Sequence, residues 1–497
     1  MSSEATEQWQ RLAPLALVFL IVNGLQKFIR ENLYAFAGAG AGFAFIDWLG
    51  LRELLFAAVA VLLIATLTGL VYHRRFRFRL EDDAIRLRRG ILEHKELRVR
   101  FARIQNVELS SPFYLRPFGL VRFSLQTPGA AEKEVELPGI SGVLAAQMRD
   151  RIAARVDGSE SAEAAPGWEH AGSEWMLKKD SLALFRHGLT SNQIWVIAGA
   201  AAPFLGVASQ RLVDWLSDLA AWQWLAEQIQ SGLVLASLLV AGLALTLLLS
   251  SGLLAIVRFH GYRLTERDDR LVAVAGLFDR REQTIRPVKI TGVMWRQTAL
   301  GRLLGCWYLV ARQASSIGFE MDGDKSSFTI PGLDAEEREV AGRLMAGAEK
   351  APELLPISLR FRRFFWLRLF VLLALVLLAA VMLLGRDHWA VWLIALAMPP
   401  MLVLIHLRWR HWGYAIVGQI MWVRQGLLGQ RIDAFPLALV QQLSVTESPY
   451  LRRHKLASLH LLLPHGEISV PFLDRDVADQ LANQALHAAE TTRHHRI

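Results

Sequence analysis

Six apolar runs alternate with long polar segments along the chain. A helix needs about 20 mostly apolar residues to cross the hydrocarbon core of a bilayer, and each run approaches or exceeds that length. The pattern therefore predicts six membrane spans in three pairs: Leu12–Phe28, Leu54–Tyr72, Leu189–Ala208, Ser231–Val257, Phe364–Gly385 and Trp389–Leu407.

The polar segments show a different periodicity. Apolar and polar residues alternate in short stretches such as Ala84–Arg88 and Arg122–Gln126, which is the period of half-buried β-strands. A helical pattern closes each segment, at Gly142–Val156, Ala335–Ala348 and Asp474–Ala489. Several short strands and one helix in about 80 residues indicate a small β-sandwich or barrel with a C-terminal helix.

The three polar segments also repeat one another. Each contains a glycine followed by two apolar residues, termed here the repeat glycine: Gly90, Gly276 and Gly426. An arginine stands 26 residues after each repeat glycine: Arg116, Arg302 and Arg452. We expect the repeat glycine to supply a hairpin turn that other residues would strain.

These patterns divide the chain into alternating membrane and polar parts. The predicted transmembrane pairs are 12–72, 189–257 and 364–407, the predicted β-domains are 73–156, 258–348 and 408–490, and the predicted linkers are 157–174 and 349–357. Both linkers are rich in Ala, Glu, Ser or Pro, as is typical of flexible joints.

The motifs of the polar segments resemble the bacterial PH-like domain, a family formerly defined only as a domain of unknown function. The resemblance is carried by Gly90–Leu92, Arg103–Val107 and Leu115–Leu120 in the first repeat and by Arg302–Gly305 in the second. The third repeat departs from it at His454–Leu456. The resemblance implies seven strands with a C-terminal helix, and it implies no enzyme activity.

Composition and charge agree with a membrane protein. The hydrophobic fraction is 53% and the formal net charge is +9, with a mean hydropathy of +0.28. Basic residues adjoin the spans on the side of the polar segments, as at His73–Arg77 and Arg360–Arg363. The positive-inside bias therefore predicts a multi-pass protein of the bacterial cytoplasmic (inner) membrane, with both termini and the β-domains cytosolic. No nucleic-acid partner is expected.

No catalytic, metal-binding or cofactor motif stands out. The chain has one cysteine, Cys306, and its 14 histidines are scattered. The densest charged feature is a run of basic residues in the first repeat: Arg86, Arg88, Lys95, Arg98, Arg100 and Arg103. It is either a face for anionic lipid headgroups or a solvated strand face that follows the positive-inside bias. We favour the solvated face.

The sequence thus predicts a non-enzymatic membrane scaffold, without cofactors. Its β-domains would bind anionic lipids, another membrane protein or a second copy, since exposed sheet edges favour oligomers. The alternative is a lipid-handling or transport protein with its pathway in the six-helix bundle, although few polar residues lie in the spans.

Overall fold

The structure of the protein is a computed structural model. It describes residues 9–22, 24, 51–90, 95–104, 106–127, 135–157, 176–191, 232–267, 270–313, 328–346, 352–385, 388, 392, 394 and 396–493. The chain divides into two compact units, Met1–Ile285 and Arg286–Ile497.

Unit 1 contains two antiparallel sheets. The four-stranded sheet has the order β1-β2-β3-β4, with β1 (Gln10–Arg11), β2 (Arg77–Leu80), β3 (Ala84–Arg89) and β4 (Lys95–Arg100). The seven-stranded sheet has the order β7-β6-β5-β11-β10-β9-β8, with β5 (Asn106–Pro112), β6 (Leu120–Gln126), β7 (Val135–Ser141), β8 (Leu177–Lys178), β9 (Arg263–Arg267), β10 (Arg270–Ala275) and β11 (Asp279–Ile285).

Four helices of unit 1 are described: α1 (Leu51–Arg75), α2 (Gly142–Asp157), α3 (Ser181–Thr190) and α4 (Gly232–Phe259). Helix α2 covers the core between the β1–β4 sheet and strands β5–β7. Its Met148 is buried in one cluster with Phe78, Leu87 and Phe123. These strand residues are apolar on one face only, which is why the sheets close over a single core.

Unit 2 also contains one seven-stranded sheet and one smaller sheet. Its seven-stranded sheet has the order β14-β13-β12-β18-β17-β16-β15, with β12 (Gly292–Gln297), β13 (Trp307–Arg312), β14 (Phe328–Leu333), β15 (Leu355–Pro356), β16 (Gly413–Val417), β17 (Ile420–Gln425) and β18 (Gln430–Pro436). Its smaller sheet contains β19 (Gln442–Thr446), β20 (Leu456–Leu463) and β21 (Gly466–Asp474).

Six helices of unit 2 are described: α5 (Ala299–Leu303), α6 (Ala335–Ala346), α7 (Arg360–Leu384), α8 (Met398–His411), α9 (Pro449–Arg453) and α10 (Arg475–Arg493). Helices α2, α6 and α10 each follow the last strand of a repeat, as the sequence predicts. Within the described residues, each repeat therefore has seven strands and a C-terminal helix.

Neighbouring repeats share sheets. In unit 1, β5 of the first repeat pairs with β11 of the second over seven residues, from Asp279 opposite Pro112 to Ile285 opposite Asn106. In unit 2, β12 of the second repeat pairs with β18 of the third. We call these pairings the first and second joins. The predicted domain and linker ranges stay predictions; residues 158–174 and 349–351 lie outside the described residues.

The hairpin role predicted for the repeat glycine is confirmed at Gly276. Gly90 and Gly276 have φ angles of 130° and 115°, a region that L side chains rarely adopt. At Gly276 a Cβ atom would lie 2.1 Å from the carbonyl oxygen of Asp279. Only glycine fits the tight connection between β10 and β11.

The predicted six-span helical bundle is wrong. Within the described residues, two helices are long and apolar enough to cross a membrane: Val240–Phe259 within α4 and Arg360–Leu383 within α7. Four β-sheets organise most of the rest of the described chain. The alternative function, a pathway through six helices, loses its structural basis.

The first predicted span shows why hydropathy overestimated the bundle. Leu12 and Ala16 are buried in the core of unit 1. The chain approaches the β-domain so closely that a Cβ atom on Gly139 would lie 2.5 Å from the Cβ atom of Ala16. Hydropathy reports how apolar a run is, and a β-domain core buries such a run as well as a bilayer does.

The other predicted spans are described to different extents. The second lies within α1, some of whose side chains lie outside the described residues. The third, Leu189–Ala208, is described only up to residue 191, where it forms the end of α3. The sixth, Trp389–Leu407, is described mainly from residue 396. Its helix α8 has 14 residues, and residues 392, 394 and 396 before it are also helical.

Candidate functional site

The basic run of the first repeat lies on a β-hairpin. Arg86 and Arg88 stand on β3, and Arg98 and Arg100 stand on β4. Arg86 is directly opposite Arg98 in the register, so the two side chains share one face of the sheet. Arg103 ends a separate 3-10 turn.

The sixth residue of this run, Lys95, is described only by its backbone, which pairs with Arg89. Its side chain lies outside the described residues.

Two carboxylates neutralise much of this face. The Glu81 carboxylate forms ion pairs with two of the arginines, at 3.1 Å from Nε of Arg86 and 2.9 Å from Nε of Arg98. Glu96 lies 3.1 Å from Nε of Arg88 and 3.5 Å from Nη1 of Arg86. Such pairing offsets the repulsion between opposed arginines, and it lowers the charge that a headgroup would meet.

Further contacts hold the same arginines. Arg98 also pairs with Asp83 at 3.3 Å, and the guanidinium of Arg88 lies 4.4 Å from the ring centroid of Trp9. Arg100 and Arg103 are exposed. The anionic-lipid role of this face stays a prediction, and the ion pairs favour the solvated interpretation.

A second basic site lies in unit 2, at the end of α8. A half-open cavity of about 330 Å³ is lined by Arg302, Leu407, Arg410, His411, Arg424 and Gln430. Its volume is at the lower end of the range for small-ligand pockets, roughly 300–1,000 Å³. Three of the six lining residues carry guanidinium groups and none is acidic, so the cavity suits an anion.

Two of these arginines hold His411. Nη1 of Arg302 donates to Nε2 of His411 at 2.8 Å, and Nε of Arg424 donates to the His411 carbonyl oxygen at 3.3 Å. Burial, and then the charge of Arg302, lowers the pKa of the His411 imidazole. The imidazole is therefore neutral near pH 7 and accepts a hydrogen bond without adding or removing charge.

The fold fixes the other contacts of Arg302. The Thr298 hydroxyl accepts the Gly301 N–H and caps helix α5, so the Arg302 side chain projects from a rigid short helix. Nη1 of Arg302 also donates to the Leu428 carbonyl oxygen at 3.3 Å, in the turn between β17 and β18. A capped helix and a hairpin thus position the guanidinium.

Helix α8, whose last turn lines the cavity, contacts the first turns of α7, the apolar helix of unit 2. Helices α7 and α8 pack together: the indole Nε1 of Trp366 donates to the Leu402 carbonyl oxygen at 3.2 Å. The Arg362 guanidinium lies between the rings of Trp366 and Trp409, at 4.7 and 5.2 Å from their centroids. Trp and Arg side chains at the end of an apolar helix are typical of the headgroup level of a bilayer.

Sequence reasoning missed this cavity. It singled out Arg302 only as the arginine of the second repeat. The spacing signal was present, since Arg302 follows its repeat glycine at the common distance. Nothing local in the sequence shows that Arg424 and His411 meet Arg302.

Among the residues that the structure describes, no three His, Cys, Asp or Glu side chains are placed to hold a metal ion.

The described chain thus defines a class of protein: β-domains in tandem that share sheets and adjoin apolar helices of membrane-crossing length. Within this class, the chain belongs to the bacterial PH domain family, because residues 25–156, 212–348 and 365–489 match it and cover more than half of the chain. The resemblance noted in the sequence is confirmed.

One curated relative is the UPF0699 transmembrane protein YdbT of Bacillus subtilis (strain 168). It is 23% identical to this chain over 273 residues, which are 53% of this chain and 54% of the relative. The chain therefore spans about half the length of that relative. No solved structure matches the chain.

Proposed function

We propose that this protein is a non-enzymatic scaffold of the bacterial cytoplasmic membrane, whose PH domains bind anionic lipid headgroups and protein partners at the cytosolic surface. Membrane attachment is supported by the apolar lengths of α4 and α7 and by the transmembrane name of the relative. The cytosolic orientation is supported by the basic residues near the ends of the apolar helices, as at Arg360–Arg363.

The observation that carries the proposal is the arginine-lined cavity at the end of α8. A phosphodiester carries one negative charge and oxygens that accept from guanidinium N–H groups. The cavity offers three guanidiniums, and the nearby Trp366 and Trp409 lie at the end of an apolar helix. A lipid headgroup is the anion most concentrated at that level. This site is preferred to the face of the first repeat, whose arginines are paired with Glu81 and Glu96.

The proposal is tested by titrating the delipidated full-length protein in detergent with phosphatidylglycerol or phosphatidylcholine, followed by native mass spectrometry. We expect phosphatidylglycerol to bind more tightly. Arg302→Gln or Arg424→Gln should weaken its binding about fivefold, because one basic residue near a headgroup contributes about 1 kcal/mol. Excess inorganic phosphate distinguishes a lipid site, which keeps its lipid, from a site for free phosphate.

Arg452→Gln is the matched control. Arg452 occupies the same repeat position as Arg302, but its side chain is 78% exposed and lies 3.6 Å from Glu447. This variant should bind phosphatidylglycerol as the wild type does. Equal binding of the two lipids, or equal losses in Arg302→Gln and Arg452→Gln, would contradict the proposal.

A further inference from the structure

Two strands in the described chain lie at open sheet edges, whereas the equivalent strands of the other repeats are paired with a neighbouring strand. Strand β4 of the first repeat corresponds to β11 and β18, and β19 of the third repeat corresponds to β5 and β12. Both β11 and β18 pair with a strand of the preceding repeat. Among the described residues, β4 and β19 are the last strands of their sheets. Strands β4 and β19 thus offer, within the described chain, the two halves of a join.

The two joins have the same register. In the first, Asp279 lies three residues after its repeat glycine and pairs with Pro112, which lies 22 residues after the preceding one. In the second, Ala434 lies eight residues after its repeat glycine and pairs with Val293, 17 residues after the preceding one. In both joins, the distances of the two paired residues from their own repeat glycines add to 25. The two joins therefore have the same register.

Exposure distinguishes the open edge of β19 from its paired counterparts. No side chain of β19 is buried: Gln442 and Thr446 are exposed and the three between them are half-buried. In β5 six of the seven residues are buried, and in β12 five of the six. The counterpart strands owe this burial in part to the neighbouring repeat.

Strand β4 shows the same difference. Its side chains Glu96, Arg98 and Arg100 are exposed. The counterparts of the first two in β18, Ile432 and Ala434, are buried at 6% and 3% exposure. An edge strand presents unpaired N–H and C=O groups that pair readily with another strand.

Charges on β4 do not block such pairing. Charged residues often protect sheet edges, but β11 carries Asp279, Arg280, Arg281 and Glu282 and pairs along its whole length. Strand β19 has no charged residue, so it brings no like charge opposite the arginines of β4. The pair is electrostatically compatible.

We propose that a second copy of this chain adds its β19 to β4 of the first copy, antiparallel and in the register of the two joins. That register sets Glu96 opposite Val445, Leu97 opposite Ser444 and Arg98 opposite Leu443. The half-buried Leu443 and Val445 are then covered by the stems of β4 side chains, as the apolar residues of β5 are covered by β11 in the first join.

This inference rests on the scaffold function, because it names the protein partner as a second copy. The contact is head-to-tail: each added copy uses its β19 and presents a new open β4, while the first copy keeps an open β19. A heterologous contact of this kind builds a ring if its rotation closes and a filament if it does not. The bilayer confines the copies to one plane and raises their local concentration.

Cysteine cross-linking tests the pairing in the full-length protein. In a Cys306→Ala background, which removes the single native and buried cysteine, one tagged copy carries Glu96→Cys and a differently tagged copy carries Val445→Cys. Mild oxidation of membranes that contain both should give a disulfide-linked dimer, because directly paired strand residues lie within disulfide range. The matched control replaces the second copy by Ser444→Cys, whose side chain faces the other side of β19.

We expect several-fold more dimer with Val445→Cys than with Ser444→Cys. Equal or absent dimer in both would overturn the self-association. Phosphatidylglycerol binding by the same cysteine variants reports separately on the scaffold function: if it persists without the dimer, only the choice of partner fails. If lipid binding is lost in proteins whose unfolding temperature is unchanged, the lipid-binding part of the scaffold function fails as well.

Discussion

His465 shows how one buried residue makes the stability of unit 2 depend on pH. Its Nδ1 lies 3.1 Å from the Thr291 hydroxyl oxygen, and its side chain fills the space beside Gly292. Burial, and then the charges of Arg312 and Arg431, lowers the pKa of His465 to about 3. The folded chain therefore holds the imidazole neutral, whereas the unfolded chain protonates it near pH 6.5.

The sign of the pH effect follows from this difference. The unfolded state binds the extra proton between the two pKa values, so His465 contributes its full stability above about pH 6.5 and loses it as the pH falls toward 3. At pH 5 the loss is about 2 kcal/mol. We predict that His465→Gln reduces the decline in unfolding free energy between pH 7 and pH 5 by about this amount, as measured by denaturant titration in detergent.

His460 provides the control for this prediction. It lies on β20 of the same sheet and pairs with Glu467 at 3.0 Å, with its side chain 35% exposed. His460→Gln should leave the decline between pH 7 and pH 5 nearly as large as in the wild type. An equal effect of the two variants would show that His465 does not determine the pH dependence.

At the same scale, the sequence indicated which arginines recur but not what they contact. Arg302 and Arg452 hold equivalent positions. One lines a cavity with His411, and the other is exposed beside Glu447. The neighbours that decide this lie more than 100 residues from Arg302 along the chain, so no local pattern contains them. The acidic residues that neutralise the basic run stand near it in the sequence. Their ion pairs with its arginines depend on the strand register, which the sequence did not show.

At the scale of elements, the hairpin glycine should tolerate no side chain. Gly276→Ala would place a Cβ atom 2.1 Å from the Asp279 carbonyl oxygen at a φ of 115°. We predict a loss of about 3 kcal/mol in unfolding free energy, since strain and a backbone clash act together. The measurement is chemical unfolding of the full-length protein.

Gly119→Ala separates the two causes. Gly119 has a φ of 62°, and a Cβ atom there would have no neighbour within 4 Å. Its replacement should cost only the left-handed backbone penalty, about 1 kcal/mol. If Gly276→Ala costs no more than Gly119→Ala, the close approach in the hairpin is not present in solution.

Local elements were predicted well where one period dominates. The strand at Ala84–Arg88 and the helix starting at Gly142 appear as β3 and α2. The apolar runs were harder, because composition alone does not tell a bilayer from a protein core. Leu12 and Ala16 are buried in the β-domain, whereas α7 keeps large apolar side chains such as Leu372 and Leu375 exposed, at 56% and 62%.

At the scale of the molecule, the main feature is that sheets cross the repeat boundaries. The sequence indicated three equivalent segments and suggested three separate β-domains. It could not show that β5 pairs with β11, because the pairing joins residues about 170 positions apart, as Ser110 and Asp279 illustrate. Long-range pairing depends on how well the edges of two strands fit each other, and a local sequence pattern contains no information about that fit.

Polar side chains reinforce the first join. The Ser110 hydroxyl donates to Oδ1 of Asp279 at 2.5 Å, and Nη2 of Arg122 donates to the Ser110 oxygen at 2.9 Å. Arg149 of α2 reaches the buried Glu282 at 2.6 Å. These contacts connect the first repeat to the second and fix the register that the open edges of β4 and β19 are inferred to reuse.

The most direct test of the shared sheet is a disulfide across the first join. In a Cys306→Ala background, Val107→Cys and Thr284→Cys are placed on directly paired residues, and mild oxidation should link them within one chain almost completely. Val107→Cys with Gln283→Cys, whose side chain faces the other side of β11, should link poorly. Efficient linkage of the first pair alone supports repeats that share sheets. Equal or absent linkage would mean that the repeats fold as separate domains, and the inferred pairing between copies would lose its template.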